Sequence, residues 1–175
     1  LRDFRHESRH TADCASFLAF SGELAAAGSP EGLLGRLTAF YQTQGVGLLG
    51  MRQVFRARRT GNGAELVPVE DRPPVRLADL VGYRQQKDLL IRNTEAFLRG
   101  KGSNNVLLYG DAGTGKSTSI QALVNEYADQ GLRLIELYKE QYDLIPDILR
   151  QVKGRNYRFL LFLDDLSFEE NETSY

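Results

Sequence analysis

The sequence has little of several features that would define a class of protein. Its 175 residues contain one cysteine, Cys14, so no internal disulfide can staple the fold. The formal net charge is −1, so the chain as a whole has no basic field that would attract nucleic acid. No apolar run is long enough to cross a bilayer, and no secretory leader is recognisable. We expect a soluble, cytoplasmic protein with no membrane partner, and nucleic acid is neither supported nor excluded.

Both ends of the sequence indicate a segment of a longer protein. The chain begins at Leu1 rather than Met, and Tyr175 ends an acidic and polar stretch directly after a predicted strand. With 42% hydrophobic and 26% charged residues, the composition is that of an ordinary globular protein. We expect one core, or a core with a small additional subdomain.

The region before residue 75 shows no motif with a chemical mechanism. Helical patterns over Cys14–Leu24 and Glu31–Tyr41 predict a small, mainly helical N-terminal subdomain. The stretch Val67–Pro74 is stiff, extended and polar, as connectors are. We therefore divide the chain into an N-terminal subdomain and linker, residues 1–74, and a core, residues 75–175.

Two charged features of the N-terminal region could be binding sites or simply solvent-exposed side chains. A Gly-Asn-Gly turn is preceded by four arginines: Arg52, Arg56, Arg58 and Arg59. They could contact phosphates or an acidic partner, although we expect them to lie on a solvated edge. His6 and His10 are four residues apart, but no third ligand lies nearby in the sequence, so we expect exposed histidines rather than a metal site.

From residue 75 onward, helix and strand patterns alternate. Helices are predicted over Tyr83–Arg99, Ser117–Asp129 and Ile145–Val152, and strands over Asn105–Tyr109, Leu132–Leu137 and Phe159–Leu163. The last strand is an unbroken apolar run, which suits a parallel strand covered on both faces. The alternation predicts an α/β fold with a parallel sheet flanked by helices.

The segment from Gly110 to Ser117 matches the P-loop pattern G-x-x-x-x-G-K-[ST] and stands between a predicted strand and a predicted helix. Its glycines let successive backbone N–H groups point at phosphate oxygens, and the following helix adds its positive end. We expect Lys116 to bridge the β- and γ-phosphates of ATP and to act in catalysis, and Ser117 to bind Mg²⁺. The further ATP-binding residues are expected to be Gly110, Asp111, Ala112, Gly113, Thr114, Gly115 and Thr118.

Two carboxylates follow the last apolar strand, in the form of a Walker B motif. We expect Asp164 to hold Mg²⁺ and Asp165 to orient or deprotonate the attacking water. Many ATPases of this class have Glu at the second position, and the shorter Asp165 changes the reach to that water. Glu169 and Glu170 lie near enough in sequence to contribute, although a solvated loop is their expected role.

A third candidate, residues 77–83, precedes the first core helix. We expect its loop to lay Val81 and Tyr83 beside the adenine ring, with the backbone around Gly82 reading the base edge. A simple helix N-terminus explains this pattern almost as well.

These segments together resemble a prokaryotic AAA+ family catalogued as ATP-binding proteins of unknown function. The likeness covers about Leu77 to Glu170. It rests on these residues: Asp79-Leu80-Val81-Gly82-Tyr83, Gln86-Lys87, Asn93-Thr94, Phe97-Leu98, Asn104 to Gly110, Gly113 to Ser117, and Asp164 to Glu169.

The resemblance implies an AAA+ core with strand order 5-1-4-3-2, ATP as the nucleotide, and a loose kinship with replication initiators and helicase loaders. It implies no substrate. In that order the strands at Asn105–Tyr109 and Phe159–Leu163 are not neighbours, so we expect a gap of roughly 9–10 Å between them. The intervening strand, the arginine finger and the helical lid would follow Tyr175. We therefore expect a homo-oligomer at full length and near-background turnover by these 175 residues.

Three other functions share parts of this pattern. A P-loop kinase needs an acceptor pocket and an arginine-bearing lid, neither of which is visible, and a GTPase would show an Asn-Lys-x-Asp guanine reader, which the sequence lacks. A protein in which ATP only orders a docking surface would tolerate the shorter Asp165. The expected function is an ATPase that couples hydrolysis of ATP to the remodelling of an unknown macromolecular partner.

Overall fold

The computed structural model describes residues 20–44 and 47–164 of the chain. Two compact units divide it, residues 1–52 and residues 53–175. No helix in the described ranges is long and apolar enough to span a membrane.

The described part of the first unit is helical. Residues 20–25 form a helical segment, followed by helix α1 (Pro30–Gln44) and the short helix α2 (Leu48–Met51). Phe20 is buried and stacks on Phe40, with ring centroids 3.7 Å apart. Helix α1 confirms the helix predicted over Glu31–Tyr41, whereas most of the helix predicted over Cys14–Leu24 lies outside the described residues.

The second unit is built on a mixed four-stranded sheet in the order β2-β1-β3-β4. Its strands are β1 (Val54–Thr60), β2 (Gly63–Pro68), β3 (Leu132–Leu137) and β4 (Arg158–Leu163). Strands β1 and β2 pair antiparallel, while β1 with β3 and β3 with β4 pair parallel. The prediction of a wholly parallel sheet was therefore wrong. A two-residue loop can join only antiparallel neighbours, and only two residues separate Thr60 from Gly63.

The hairpin β1–β2 also places the start of the second unit earlier than the expected boundary at residue 74. Val54, Phe55 and Arg56 pair with β3, so this strand belongs to the sheet and its core. Phe55 and Ala57 are buried, while the alternate residues Arg56 and Arg58 face solvent. This period of two is the pattern of a strand with one covered face.

Three helices flank the sheet: α3 (Arg84–Leu98), α4 (Lys116–Tyr127) and α5 (Ile145–Val152). They confirm the three helices predicted for the core, and β3 and β4 confirm two of its strands. Helix α4 covers the sheet, because Leu123 and Val124 are fully buried in one cluster with Leu132 and Leu134 of β3. At about 25 cal/mol per Å² of apolar surface removed from water, each such side chain contributes roughly 1.5–3 kcal/mol.

The strand predicted over Asn105–Tyr109 does not form. Residues 104–109, which we call the approach segment, have no regular secondary structure, and Leu107 and Tyr109 are exposed. Within the described chain, no hydrogen bond joins the backbone of residues 105–109 to another element. An extended segment becomes a strand only when a neighbour completes its ladder.

A groove of about 270 Å³ is lined by residues 103–106, by residues 159–162 of β4, and by residues of α3 and α4. Strand β4 pairs with β3 and not with the approach segment. Their separation of roughly 9–10 Å stays a prediction.

At the opposite edge of the sheet, two side chains of α5 form hydrogen bonds with the backbone of β2. The N–H of Ala64 in β2 donates to Oδ2 of Asp147 at 3.2 Å, and Nε2 of Gln151 donates to the carbonyl oxygen of Ala64 at 2.7 Å. Both outward backbone groups of Ala64 are thus satisfied by one helix.

Candidate functional site

The segment Gly110–Ser117 forms a loop that connects the approach segment to α4. Gly110, Gly113 and Gly115 have φ angles of 136°, 77° and 85°. Gly115 lies directly before α4 in the left-handed region. Residues with a Cβ rarely adopt these angles, so the curl of this loop requires glycine.

The side chain of Lys116 is bonded to the backbone of this loop. Its Nζ donates to the carbonyl oxygens of Gly110 and Asp111, at 2.8 Å each. The Thr114 hydroxyl donates to the same Asp111 oxygen at 2.8 Å, which fixes the turn from inside. A lysine ammonium has three donors, so one N–H remains for an anion at the loop.

The loop runs into the positive end of a twelve-residue helix. The Ser119 N–H donates to the carbonyl oxygen of Gly115 at 2.9 Å, which is the first bond of the helical ladder. The N–H groups of Lys116, Ser117 and Thr118 therefore precede that ladder and have no intrahelical acceptor. Unpaired N–H groups and the helix dipole both favour an anion here.

A carboxylate from β4 reaches the same helix end. The Ser117 hydroxyl donates to Oδ1 of Asp164 at 3.4 Å, across 47 residues of sequence. Asp164 directly follows β4, and its N–H donates to the carbonyl oxygen of Leu137 at 3.3 Å. The structure thus brings together the two residues that the sequence predicted as metal ligands, and both are half-buried.

The Ser117–Asp164 pair has the donor chemistry of a magnesium site. Mg²⁺ prefers oxygen ligands and usually takes only one or two from the protein, with phosphates and water completing the shell. In the part of the chain that the structure describes, no three His, Cys, Asp or Glu side chains gather into a metal cage. A hydroxyl beside one carboxylate fits Mg²⁺ bound together with a phosphate ligand.

Among the described residues, no contact joins the predicted adenine-binding residues to the Gly110–Ser117 loop. The side chain of Val81 is 93% exposed and that of Tyr83 is 59% exposed. Their neighbours Leu77 and Leu80 do pack against the cluster that contains the buried face of α4. The role of Val81, Gly82 and Tyr83 stays a prediction.

Several other predicted residues lie outside the described ranges. They are the catalytic candidate Asp165, the acidic residues Glu169 and Glu170, and the histidines His6 and His10. The interpretation of each stays a prediction.

Three of the four arginines lie on β1, and each is paired with a carboxylate. Arg56 contacts Glu136 at 3.0 Å, Arg58 contacts Glu65 at 2.7 Å and Arg59 contacts Asp143 at 2.7 Å. The hydrogen bond from Arg59 lowers the pKa of Asp143 below its ordinary value, and the same bond raises the pKa of Arg59. Since each of these three guanidinium groups has its own counter-charge, the three arginines together present little net field to an external phosphate.

The structure places one further residue against the approach segment, which the sequence did not assign to the site. The side-chain amide of Asn93, on α3, forms two hydrogen bonds with the backbone of Asn104. A contact between one side chain and a distant backbone leaves no periodic signal in a sequence.

The fold and this site define an α/β protein whose mixed sheet and helices are compatible with an AAA+ domain. The chain belongs to the family described as "Protein of unknown function (DUF815)", which matches residues 51–175.

Individual relatives extend this assignment. The chain is 36% identical over 90 residues to the "Replication factor C large subunit" of Staphylothermus marinus, covering 51% of this chain and 21% of the relative. It is 31% identical over 104 residues to the protein of the same name in Methanococcus vannielii, covering 56% and 21%. The chain thus spans about a fifth of the length of these relatives. No solved structure matches it. The relatives support an AAA+ core at the level of the family.

Proposed function

We propose that this chain binds ATP with Mg²⁺ and is the ATPase core of an AAA+-type protein, which couples hydrolysis of ATP to the remodelling of a macromolecular partner. The observation that supports this most is the contact between Ser117 and Asp164 at 3.4 Å. It joins a P-loop to a Walker B carboxylate across two separate elements. If the segment were only a glycine turn that happens to contain a lysine, a contact with an aspartate at the end of a strand would not be expected.

Each part of the site has a distinct role in this proposal. The loop N–H groups and the Lys116 ammonium hold the phosphates, and the ammonium is already positioned by the carbonyls of Gly110 and Asp111. Ser117 and Asp164 would hold Mg²⁺, which supplies neutralising charge to the phosphate oxygens. Asp165, the next residue, is the candidate that orients or deprotonates the attacking water.

The first test is nucleotide binding by the 175-residue chain. Calorimetric titration should show that ATP binds more tightly with Mg²⁺ than in its absence, and that excess GTP does not displace it. The double variant Ser117→Ala/Asp164→Asn should lose most of the dependence on Mg²⁺. Failure of the folded wild-type chain to bind ATP would contradict the proposal.

Hydrolysis needs a separate measurement in the full-length protein. We expect single-turnover formation of ADP and phosphate by the wild type and a loss of at least about 100-fold in Asp165→Asn, because an amide cannot accept a proton from water. The 175-residue chain alone should stay near background. Brisk turnover by this chain would show that it already holds all the groups that turnover needs.

A second function is a switch in which bound ATP orders a docking surface without turnover. Asp165 favours it, because this residue is one methylene shorter than the glutamate common at that position. Under this alternative, ATP binds as above but Asp165→Asn changes nothing. Appearance of the phosphate on a small acceptor would instead indicate a P-loop kinase.

The partner is best sought through stimulation of turnover. We propose ATPase assays of the full-length protein with DNA, RNA and fractionated cell extract added in turn. Sedimentation with and without ATP would test the proposed homo-oligomer. An unchanged rate with every addition, in a protein that does hydrolyse ATP, would contradict coupling to a partner of these classes.

A further inference from the structure

We propose that Asn93 is a positioning residue for the nucleotide site. Its amide holds the approach segment in the place where the carbonyl oxygens of Gly110 and Asp111 can accept hydrogen bonds from Lys116. This inference rests on the proposed ATP binding and adds a residue from α3, outside the loop and the Walker B strand. No part of the P-loop pattern points to it.

The contact itself is bidentate. Nδ2 of Asn93 donates to the carbonyl oxygen of Asn104 at 2.9 Å, and Oδ1 of Asn93 accepts the N–H of the same residue at 2.9 Å. One side chain therefore satisfies both backbone groups of one residue, as a neighbouring strand would. Neither bond can be made by an aliphatic side chain of similar size.

Asn93 is itself fixed in place by its neighbours. Thr94 is only 4% exposed and its hydroxyl donates to the carbonyl oxygen of Leu90 at 2.9 Å. Leu90 is buried in the core cluster. The amide thus projects from a turn of helix that is anchored in the core, so it can hold the segment beside it.

The approach segment needs such an anchor. Beyond Asn104, the backbone of residues 105–109 makes no hydrogen bond to another element in the described chain, and Leu108 is the side chain that packs on the core cluster. By contrast, the other end of the loop continues into α4, where Ile120, Leu123 and Val124 are buried. The loop is therefore held firmly after Lys116 and weakly before Gly110.

The weakly held end carries the acceptors that position the catalytic lysine. The Gly110 and Asp111 carbonyls that bind the Lys116 ammonium lie six and seven residues after Asn104. If the approach segment shifts, these carbonyls move away from Lys116 while α4 stays in place. The ammonium then loses the two bonds that aim it at a bound phosphate, and affinity falls although no residue in contact with the ligand has changed.

The chemistry of the amide supplies a reversible test. At neutral pH, Asn93→Asp can accept the Asn104 N–H but opposes the Asn104 carbonyl with a negative charge. A protonated aspartic acid has one O–H donor and one acceptor, like the amide it replaces. Acidification should therefore restore both bonds in this variant.

The experiment titrates the 175-residue chain with Mg-ATP by calorimetry. We expect Asn93→Ala and Asn93→Asp to weaken ATP binding about tenfold at roughly pH 7.5. Relative to wild type at the same pH, Asn93→Asp should recover part of this loss as the pH is lowered toward about 4, the ordinary pKa of an aspartate, because protonation supplies the missing O–H donor. Asn93→Ala should show no recovery.

A matched control is Asn125→Ala. Nδ2 of Asn125 also donates to backbone carbonyls of another segment, Pro73 at 3.2 Å and Val75 at 2.8 Å, but at the far end of α4 from Lys116. We expect this variant to lower the melting temperature and to leave ATP affinity within about twofold of wild type. Wild-type affinity in Asn93→Ala, equal losses of affinity in the two alanine variants, or no recovery of Asn93→Asp would each overturn the positioning role.

A ligand-free measurement separates this inference from the proposed function. Amide hydrogen exchange without nucleotide should be faster in Asn93→Ala than in wild type across residues 104–111, and unchanged in β3. Wild-type exchange across residues 104–111 would overturn the inference even if ATP binds. A wild-type chain that binds no ATP would instead refute the proposed function.

Discussion

The two sides of the sheet are held by different means. On the hairpin side, β1 pairs on both edges, Ala64 of β2 is bonded to α5, and three arginines are matched with carboxylates. On the P-loop side, β4 pairs with β3 alone among the described strands, and the approach segment depends on Asn93 and Leu108. The difference indicates that the segment leading into the proposed nucleotide site has less support than the hairpin.

Variants that separate ATP affinity from stability test this difference between the two sides. On the P-loop side we expect losses of ATP affinity, and on the hairpin side a small loss of stability that leaves ATP affinity unchanged.

Lys116→Ala should have the largest effect. It removes the cation that the loop carbonyls position, so we expect at least about 100-fold weaker ATP binding in calorimetric titration. The melting temperature should change little, because the ammonium is not buried. Lys101→Ala, which removes an exposed lysine outside the loop, is the control and should bind as wild type. Unchanged affinity in a folded Lys116→Ala chain would remove the P-loop interpretation.

Ser117→Ala should weaken ATP binding by about tenfold with Mg²⁺ and by less without it, because it removes a metal ligand and no backbone N–H. The control is Ser119→Ala, whose hydroxyl donates to the Gly115 carbonyl oxygen at 2.7 Å. That variant should show the same small effect with and without metal. Equal losses in the two metal conditions for Ser117→Ala would contradict its role as a ligand.

Gly115→Ala tests whether the backbone conformation of the loop affects ATP binding as well as the stability of the fold. Gly115 and Gly154 have φ angles of 85° and 75°, and an added Cβ would meet no atom within 4 Å at either position. Both alanine variants should cost about 1–2 kcal/mol of unfolding free energy through backbone strain alone. Only Gly115→Ala should also weaken ATP binding. Comparable loss of affinity in Gly154→Ala would show that general destabilisation explains both.

Asp143→Asn should have the smallest effect, on the hairpin side. Because Arg59 lowers the pKa of Asp143, the folded chain holds this carboxylate charged more strongly than the unfolded chain does. The pair therefore stabilises the fold above the ordinary pKa near 4, and this contribution is lost as the pH falls through the lower folded value. Denaturant unfolding should show wild type slightly more stable than Asp143→Asn at neutral pH, and this difference should shrink as the pH falls below the ordinary pKa.

Salt and nucleotide provide the checks on this last expectation. Both groups are exposed, so the difference between wild type and Asp143→Asn should shrink in high salt. ATP affinity should not change in the variant. A difference that grows on acidification would reverse the sign of the argument.

The elements that sequence patterns predicted best are those with a strong local signal. Strand β3 is buried almost throughout, and α5 begins with Pro146 in its first turn, so their limits were confirmed. The hairpin was not predicted as two strands, because arginines fill the exposed positions of β1 and make it resemble a polar stretch. The Gly61-Asn62-Gly63 turn was its available signal.

The approach segment and the site also differ in how much of their structure local sequence determines. Val106, Leu107 and Leu108 are apolar enough to predict a strand, yet strand formation depends on a neighbour that local sequence does not specify. The meeting of Ser117 with Asp164 could be predicted because two separate motifs imply it. Asn93 could not, since its contact depends on where α3 places one amide beside a backbone eleven residues later.

The pairing of Ala64 with Asp147 and Gln151 also has a consequence for self-association. Exposed sheet edges recruit strands from other molecules, and this recruitment is a common origin of polymers and aggregates. At β2, a second copy would find the outward donor and acceptor of Ala64 already occupied by α5. A Cβ in place of Gly63 would collide with the Asp147 carboxylate and disturb this protection. Among the described residues, α5 thus protects this part of the β2 edge against pairing with a strand of another molecule.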